Sequence, residues 1–390
     1  IREAERGMQF EEFKRRNQEL ITARVLRVDP LTGAATVEIG KSESVLAKSE
    51  QLPGETLHEG DRVKVRKPSV FTAQEFSAAD GVAYQDFCED AVDVALDHIA
   101  TVDARATAVE SATGIDDLNR AFIQPAAAAL AEKINADGLA LYADVPYCCG
   151  TAGTTPGELA DLAAARRALN VQKAPASSRV AVWDPEADAK FTQLAALVNA
   201  EKAGSSQALR EGAIGRVYGM DNYMSQAVRQ HATGITAATA VKVNGVVTAG
   251  ARQLSIDGTA LTGRLVKGDL LKIGGGSYVV TQDSAAAAGN AIAGVQVYPA
   301  LPEIADNTEV TLVGSHTANL AFHPMAFAYV TRPLIDPDGQ GVASYVTSFN
   351  GISLRVTKGY DQQYKRSIYS MDVLYGFKTV YPELAVRVLG

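Results

Sequence analysis

The longest helical pattern in the chain runs from Ile115 to Tyr142, IDDLNRAFIQPAAAALAEKINADGLALY. Its apolar residues Ile115, Leu118, Phe122, Leu130, Ile134, Leu139 and Tyr142 mostly recur at steps of three, four or seven, which traces one stripe of an α-helix. Asp116 and Asp117 would stand in the first turn, where carboxylates meet the positive end of the helix dipole, and Ala126 to Ala129 are strong helix formers. At 1.5 Å per residue such a helix spans about 40 Å, more than one small core needs. Pro125, which lacks an N–H, should bend it or cost one hydrogen bond.

Upstream, residues 1 to 20 are charged and helix-compatible, and then the period changes to two. ITARVLRVD, a Pro30 to Gly33 turn and AATVEIG place Val25, Val28, Val37 and Ile39 at alternating positions, as in a half-buried sheet or small barrel. From Glu59 to Phe76 the string EGDRVKVRKPSVFTAQEF reads as two extended arms interrupted at Pro68. With so few apolar residues this ribbon cannot bury itself and waits for a partner surface. Its basic cluster Arg62, Lys64, Arg66 and Lys67 could bind phosphate, but a solvated or intersubunit face is the commoner fate of charges at alternate strand positions. Asp86 to Val109 reads as a mixed strand and helix lead-in. His98 beside Asp97 is no acid–base pair there, because adjacent side chains diverge.

Downstream, a Gly, Thr and Pro loop precedes the helix ELADLAAARRALN, which carries Arg166 and Arg167 near its C-terminal end. SSRVAVW is a short buried strand. Asp184 should cap the following helix, with Pro185 in its first turn and FTQLAALVNAEKA in its body. LREGAIGRVYGMDNYMSQAV spaces its glycines unlike a nucleotide loop. From His231 to about Ser315 helical periodicity vanishes and short β runs recur: AVKVNGVV, RQLSIDG, DLLKIGGGSYVV, GVQVYP and EVTLVG. Turns are expected at Asn244-Gly245, Asp257-Gly258 and Gly274 to Gly276, which gives a small all-β module inserted into α/β sequence. The tail is strand-rich, with ISLRVT and SIYSMDVLYGF joined by a polar turn at Gly359 to Lys365. Asp336, Asp338 and Gly339 lack the further carboxylates of a calcium loop and read as a surface loop.

Composition narrows the function classes. With 390 residues, 47% hydrophobic and 21% charged, the chain can bury two or three cores and is not disordered. A net charge of −8 argues against a protein whose main work is gripping nucleic acid through a basic face. No apolar run reaches 18 residues, so no membrane span is implied. Ile1 in place of an initiator Met predicts chain upstream. Three cysteines, Cys88, Cys148 and Cys149, fit inert thiols in a reducing compartment. The chain has no H-E-x-x-H, G-x-S-x-G or P-loop and no clustered His and Cys ligands. No catalytic residue, cofactor or metal is therefore expected.

Two resemblances follow from longer strings. The strands after Ile21, with LPGETLHEGDRVKV, resemble the S1-type barrel of the bacterial transcription factor NusA over about 45 residues. That likeness implies RNA binding by stacked aromatics, but these strands carry almost none, so a β arm without nucleic acid is expected. From Gly60 onward, about 330 of the 390 residues resemble the major coat proteins of tailed bacteriophages, in the branch with an insertion domain that includes the short-tailed Salmonella phage. The likeness rests on GDRVKVRKP with VFT, IQPAAAALAEKINADGLALY, Trp183-Asp184-Pro185, LREGAIGRVYGMDNYMSQ, NLAFHPMAFA and GISLRVTKGYDQQYKRSIYSMDVLYGFKTVYPELAVRV, in that order.

The coat-protein resemblance implies an α+β Hong Kong 97-type capsid fold. Residues 1–59 would be an N-terminal arm or S1-like segment, where the family usually has a helical arm. Residues 60–85 would be an extended loop reaching a neighbouring subunit through Arg62, Lys64, Arg66, Lys67, Pro68 and Phe71. Residues 86–150 would form the peripheral domain, with Ile115, Leu118, Phe122, Pro125, Leu130 and Ile134 on its spine helix. An axial domain would take 151–232, the inserted β domain 233–315, and returning strands 316–390. The implied function is a shell of hexamers and pentamers around packaged double-stranded DNA, assembled in the host cytoplasm with scaffolding and portal partners and without a membrane. An RNA-binding protein led by the N-terminal barrel and an encapsulin-type compartment are the alternatives.

Overall fold

The computed structural model describes residues 24–28, 35–39, 42–46, 62–67, 90–107, 122–199, 211–334, 342–349 and 352–390. The chain divides into two compact units, Ile1–Glu59 and Gly60–Gly390. In the first, β1 (Arg24–Val28), β2 (Ala35–Ile39) and β3 (Ser42–Leu46) form an antiparallel sheet in that order, with a bulge between Val25 and Arg27. The strands fall where the alternation of Val25, Val28, Val37 and Ile39 places them.

The second unit opens with β4 (Arg62–Lys67), which pairs antiparallel with β5 (Asp90–Ala95). β6 (His98–Thr107) follows almost without a break, so the expected strand and helix lead-in is two strands among the described residues. Next comes α1 (Gln124–Leu139), prolonged by a 3-10 turn at Ala140–Asp144. Ile115 and Leu118 lie outside the described residues. Ala126 and Leu130 are the buried stripe of α1, continued upstream by Phe122 in the turn before it, with Ile134 half-buried beyond them. Pro125 stands in the first turn of α1, directly after a π-helical turn at residues 122–123, and the chain on which the expected bend depends lies outside the described residues.

β7 (Cys148–Gly150) leads to α2 (Leu159–Val171), which opens on a reciprocal capping box between Glu158 and Asp161. β8 (Arg179–Trp183) then meets α3 (Pro185–Phe191), capped by Asp184, which accepts from the Glu186 N–H as its sequence position predicts. The long helix expected to carry FTQLAALVNAEKA is corrected. α3 stops at Phe191, the Thr192 hydroxyl bonds back to the Asp188 and Ala189 carbonyls, and Leu194 is extended before a single turn, α4 (Ala195–Val198).

After β9 (Gly215–Val217), β10 (Met220–Met224) and β11 (Gln230–His231) comes the inserted module. It consists of β12 (Ile235–Val243), β13 (Gln253–Gly263), β14 (Leu270–Ile273), β15 (Gly276–Val280), β16 (Ala291–Tyr298) and β17 (Val310–Leu312). Sheet order is β12-β13-β16-β15-β14-β17. The ring closes where Lys242 bridges Glu309 and Val243 exchanges backbone bonds with Thr308 and Asn307, so the module is a six-stranded barrel. Its interior is apolar apart from the Tyr278 hydroxyl, with Val243, Ile256, Leu271, Val280 and Val295 among the fully buried residues. The turn expected at Asp257-Gly258 is corrected, because both residues lie inside β13. There Gly258 lets β12 pass closely: a Cβ would stand 3.2 Å from the Thr239 carbonyl, where the β12–β13 register slips.

The chain returns through β18 (His316–Phe322), β19 (Phe327–Arg332), β20 (Ala343–Phe349), β21 (Ile352–Asp361), β22 (Arg366–Thr379) and β23 (Ala385–Leu389). β7, β23, β18, β8, β10 and β9 form one sheet in that order, with β11 added beside β18. α2 and α3 cover it over Leu162, Leu169, Trp183, Phe191 and Val388. The other sheet is centred on β22, which pairs with β6 over ten residues, with β21 over its first half and with β19 over its second. α1 lies on this sheet over Met371, Val373 and Tyr375.

Candidate assembly surface

The basic ribbon expected to reach a neighbour is a paired strand at its described end. In register, Lys64 stands opposite Asp93 and Lys67 opposite Asp90, while Arg62 and Arg66 stand opposite Ala95 and Ala91. Pro68 and Phe71 lie outside the described residues. β5 ties the ribbon to the rest of the unit: Val94 and Leu96 are buried, and Gly376 of β22 has no side chain where the Ala95 carbonyl passes.

The sheet under α1 is unevenly covered. Six consecutive residues of β22, Met371 to Gly376, are buried, yet none of the described side chains of β19, β20 and β21 is. Tyr345 pairs in register with Val356, which packs toward α1, and Tyr360 lies four residues further along the same strand. Both tyrosines therefore share the α1 face, but they remain 69% and 52% exposed. Tyr364, Ile352, Ile368 and Ile99 add further exposed apolar surface to the same sheet and its hairpin tip. On the other face Asp372 is buried and takes Arg355 at 2.6 Å and the Ser370 hydroxyl at 2.9 Å.

Of the spine-helix residues, the structure brings Phe122, Leu130 and Ile134 onto this sheet, and Pro125 stands exposed at the helix start. The helix is anchored at its other end by Asp137, which accepts from Tyr375 and Lys133 at 2.7 Å and faces Arg229 at 3.5 Å. Burial alone would raise the Asp137 carboxyl, but the hydrogen bonds from Lys133 and Tyr375 and the Lys133 charge outweigh it and hold the group below the usual carboxylate range. His98 and Asp97 meet at 3.5 Å but both are exposed, as a surface pair would be. Among the described residues no group of three or more His, Cys, Asp or Glu is placed to hold a metal. No helix there is long and apolar enough to cross a membrane.

Sequence reasoning missed a polar cluster at the neck of the barrel. β11 and β18, which lead into and out of the module, pair with His231 directly opposite His316. His231 Nε2 donates to Asp269 Oδ1 at 2.8 Å, its Nδ1 lies 3.2 Å from the Tyr142 hydroxyl, and its ring centroid is 5.3 Å from that of His316. Arg387, fully buried, donates to the carbonyls of Val145 and Gly268 at 3.0 and 2.8 Å. It thereby ties the barrel corner to β23, and burial pushes its pKa down to about 10. Lys267 and Asp144 close the outer edge at 2.9 Å. The available signal was positional: a histidine stands at each border of the β-rich stretch.

No family model matches the chain. The NusA proteins of Thermus thermophilus and Bacillus subtilis are each 40% identical over 65 residues. Those matches cover 17% of this chain and only 16% and 17% of the two relatives. Among solved structures, the chain is similar to a protein of Mycobacterium phage Che8, with 17% identity, 84% of each chain covered and a TM-score of 0.47. A protein of the Cyanophage P-SCSP1u capsid aligns over 86% of this chain and 84% of its own, at 14% identity and a TM-score of 0.47. The holo-SrpI encapsulin complex of Synechococcus elongatus aligns over 86% and 83%, at 9% identity and a TM-score of 0.34.

Proposed function

We propose that the chain is a major capsid protein of the Hong Kong 97 type, whose copies assemble into an icosahedral shell around phage double-stranded DNA. The observation that carries this reading is the sheet of β19, β20, β21, β22 and β6. Three of its strands have no buried side chain among those described, and Tyr345 and Tyr360 are open to solvent on the face that α1 covers elsewhere. A sheet this long, wet and aromatic on its core-bearing face is incomplete in one copy and calls for a neighbouring surface. The ordered run of coat-protein-like motifs from Gly60 onward supports the same reading, as does a β barrel inserted between β11 and β18.

In this reading β4 and the chain after it are the extended loop, α1 is the spine of the peripheral domain, and the sheet of β8 and β18 belongs to the axial domain. Hexamers and pentamers form with scaffolding and portal partners, and the net negative chain encloses DNA without gripping it. Sedimentation and negative-stain microscopy of the purified chain test it. Closed particles of many copies are expected, and a monomer stable at all concentrations would sink the proposal.

A second reading is favoured by the NusA-like match: RNA binding through the unit Ile1–Glu59. Comparing RNA affinity of the whole chain with that of a chain lacking residues 1–59 separates the two. Tight, salt-sensitive binding lost with that unit would favour the second reading.

A further inference from the structure

We propose that the His231–His316 pair is an acid-sensitive latch: proton binding there releases the inserted barrel from the sheet that carries it, while the barrel stays folded. The geometry is asymmetric. His316 Nδ1–H donates to the Gly314 carbonyl at 2.8 Å, which fixes its tautomer and leaves Nε2 buried without a partner. A proton arriving at Nε2 would create a buried cation with no acceptor. It would also stand beside two other donors, the His231 ring and the Arg387 guanidinium, whose own Nη2 is already buried and unpaired.

The groups facing this pair come from every element around it. Asp269 on the barrel corner is the nearest counter-charge, but both its oxygens are engaged, by His231 and by the Val266 N–H. Tyr142 and Asp144 lie on the 3-10 turn, Arg387 on β23, Arg229 just before β11, Lys267 on the barrel corner and Cys148 on β7. Burial is the main cause, with Arg387 and His231 adding to it, that pushes His316 down to about 4, well below the ordinary histidine value. A histidine held neutral this way costs nothing above pH 6.5. As pH falls from there toward 4, the open neck takes up the proton first and opening becomes easier. The barrel contributes Asp269 and Lys267 at its corner, but its apolar core holds no ionisable side chain except Tyr278, and its ring closes through its own backbone at Lys242 and Glu309.

Hydrogen exchange followed by mass spectrometry on the full chain at pH 7.5 and pH 5.0, corrected for intrinsic exchange, tests the latch. The Ala318 amide, bonded to the Arg229 carbonyl, reports the neck, and the Val247 and Leu301 amides report the barrel. Neck protection is expected to fall about tenfold or more between the two conditions while barrel protection holds. His316→Asn, which keeps a donor for the Gly314 carbonyl but cannot take the proton, is expected to remove most of that fall. Equal loss at neck and barrel, an unchanged fall in H316N, or no fall at the neck between pH 7.5 and pH 5.0 would each overturn the proposal. Should H316N not fold, the wild-type neck and barrel values at pH 7.5, 6.0 and 5.0 decide it alone.

Discussion

Gly376 of β22 lies where the Ala95 carbonyl crosses the sheet, so close that any Cβ would collide with that oxygen. The contact is backbone on backbone and cannot be relieved by rotating a side chain. Gly376→Ala is therefore expected to lift β5 and lower stability by about 1–3 kcal/mol. Gly359→Ala, where a Cβ meets only Val342 at 3.9 Å, should change it by less than about 0.5 kcal/mol. Denaturant melts of the two variants, side by side, check the contrast.

Leu130 and Pro125 sit five residues apart on α1 and should behave in opposite ways. Leu130 is buried against β22, so Leu130→Ala leaves a cavity and costs about 2–5 kcal/mol. Pro125 is exposed in the first helical turn, and Pro125→Ala should shift stability by no more than about 1 kcal/mol. A loss above about 2 kcal/mol in thermal melts of P125A would mean that the proline shapes the helix after all.

Asp137 links α1 to β22 through Tyr375 and to Arg229 near β11. Because its folded pKa is depressed, its contribution is present above the ordinary carboxylate value of 3.8 and is lost as pH falls through the folded value. Asp137→Asn should cost about 1–2 kcal/mol at pH 7, and the gap to the wild type should narrow as pH falls below 3.8 toward the lower folded value. Urea titrations at pH 7 and pH 3 would show it. A constant offset at both would contradict the linkage.

Replacing Tyr345 and Tyr360 together by Ser removes exposed apolar surface and no core. The melting temperature of the unassembled chain should stay within a few degrees, whereas the yield of sedimenting particles should fall at least about tenfold. Full yield in this double variant would mean that the open face of the sheet centred on β22 is not an assembly contact.

Local patterning made much of this fold readable. The Asp184 cap, the alternating strands β21 and β22 and the β runs of the barrel are signals written within a dozen residues. What failed was non-local. Asp257-Gly258 has the composition of a turn, but β12 and β16 on either side hold it extended. The helix after Pro185 had enough alanine and leucine to continue, yet Phe191 packs against Trp183 at 4.8 Å and the chain turns there. Arg387 was one charge in an alternating strand until the fold set it against Val145 and Gly268, 242 and 119 residues away. The proposed assembly surface was legible only as a shortage of apolar residues near Arg62 and as a likeness. The uncovered tyrosines needed the sheet to be built first.

Because β11 and β18 are hydrogen-bonded neighbours, the two ends of the barrel leave the sheet about one strand spacing apart, roughly 5 Å. A gap that narrow can be bridged by a tight turn, so the sheet is complete whether or not the 84 or so residues between the strands are present. A genome could acquire, exchange or discard this module in a single event, and the lineage would keep a foldable subunit at every step. The inserted barrel is in that sense a removable part, and the side chains at its neck, with the apolar contact of Leu270, Val279 and Val313 on Leu389, record that the two have been shaped to fit one another.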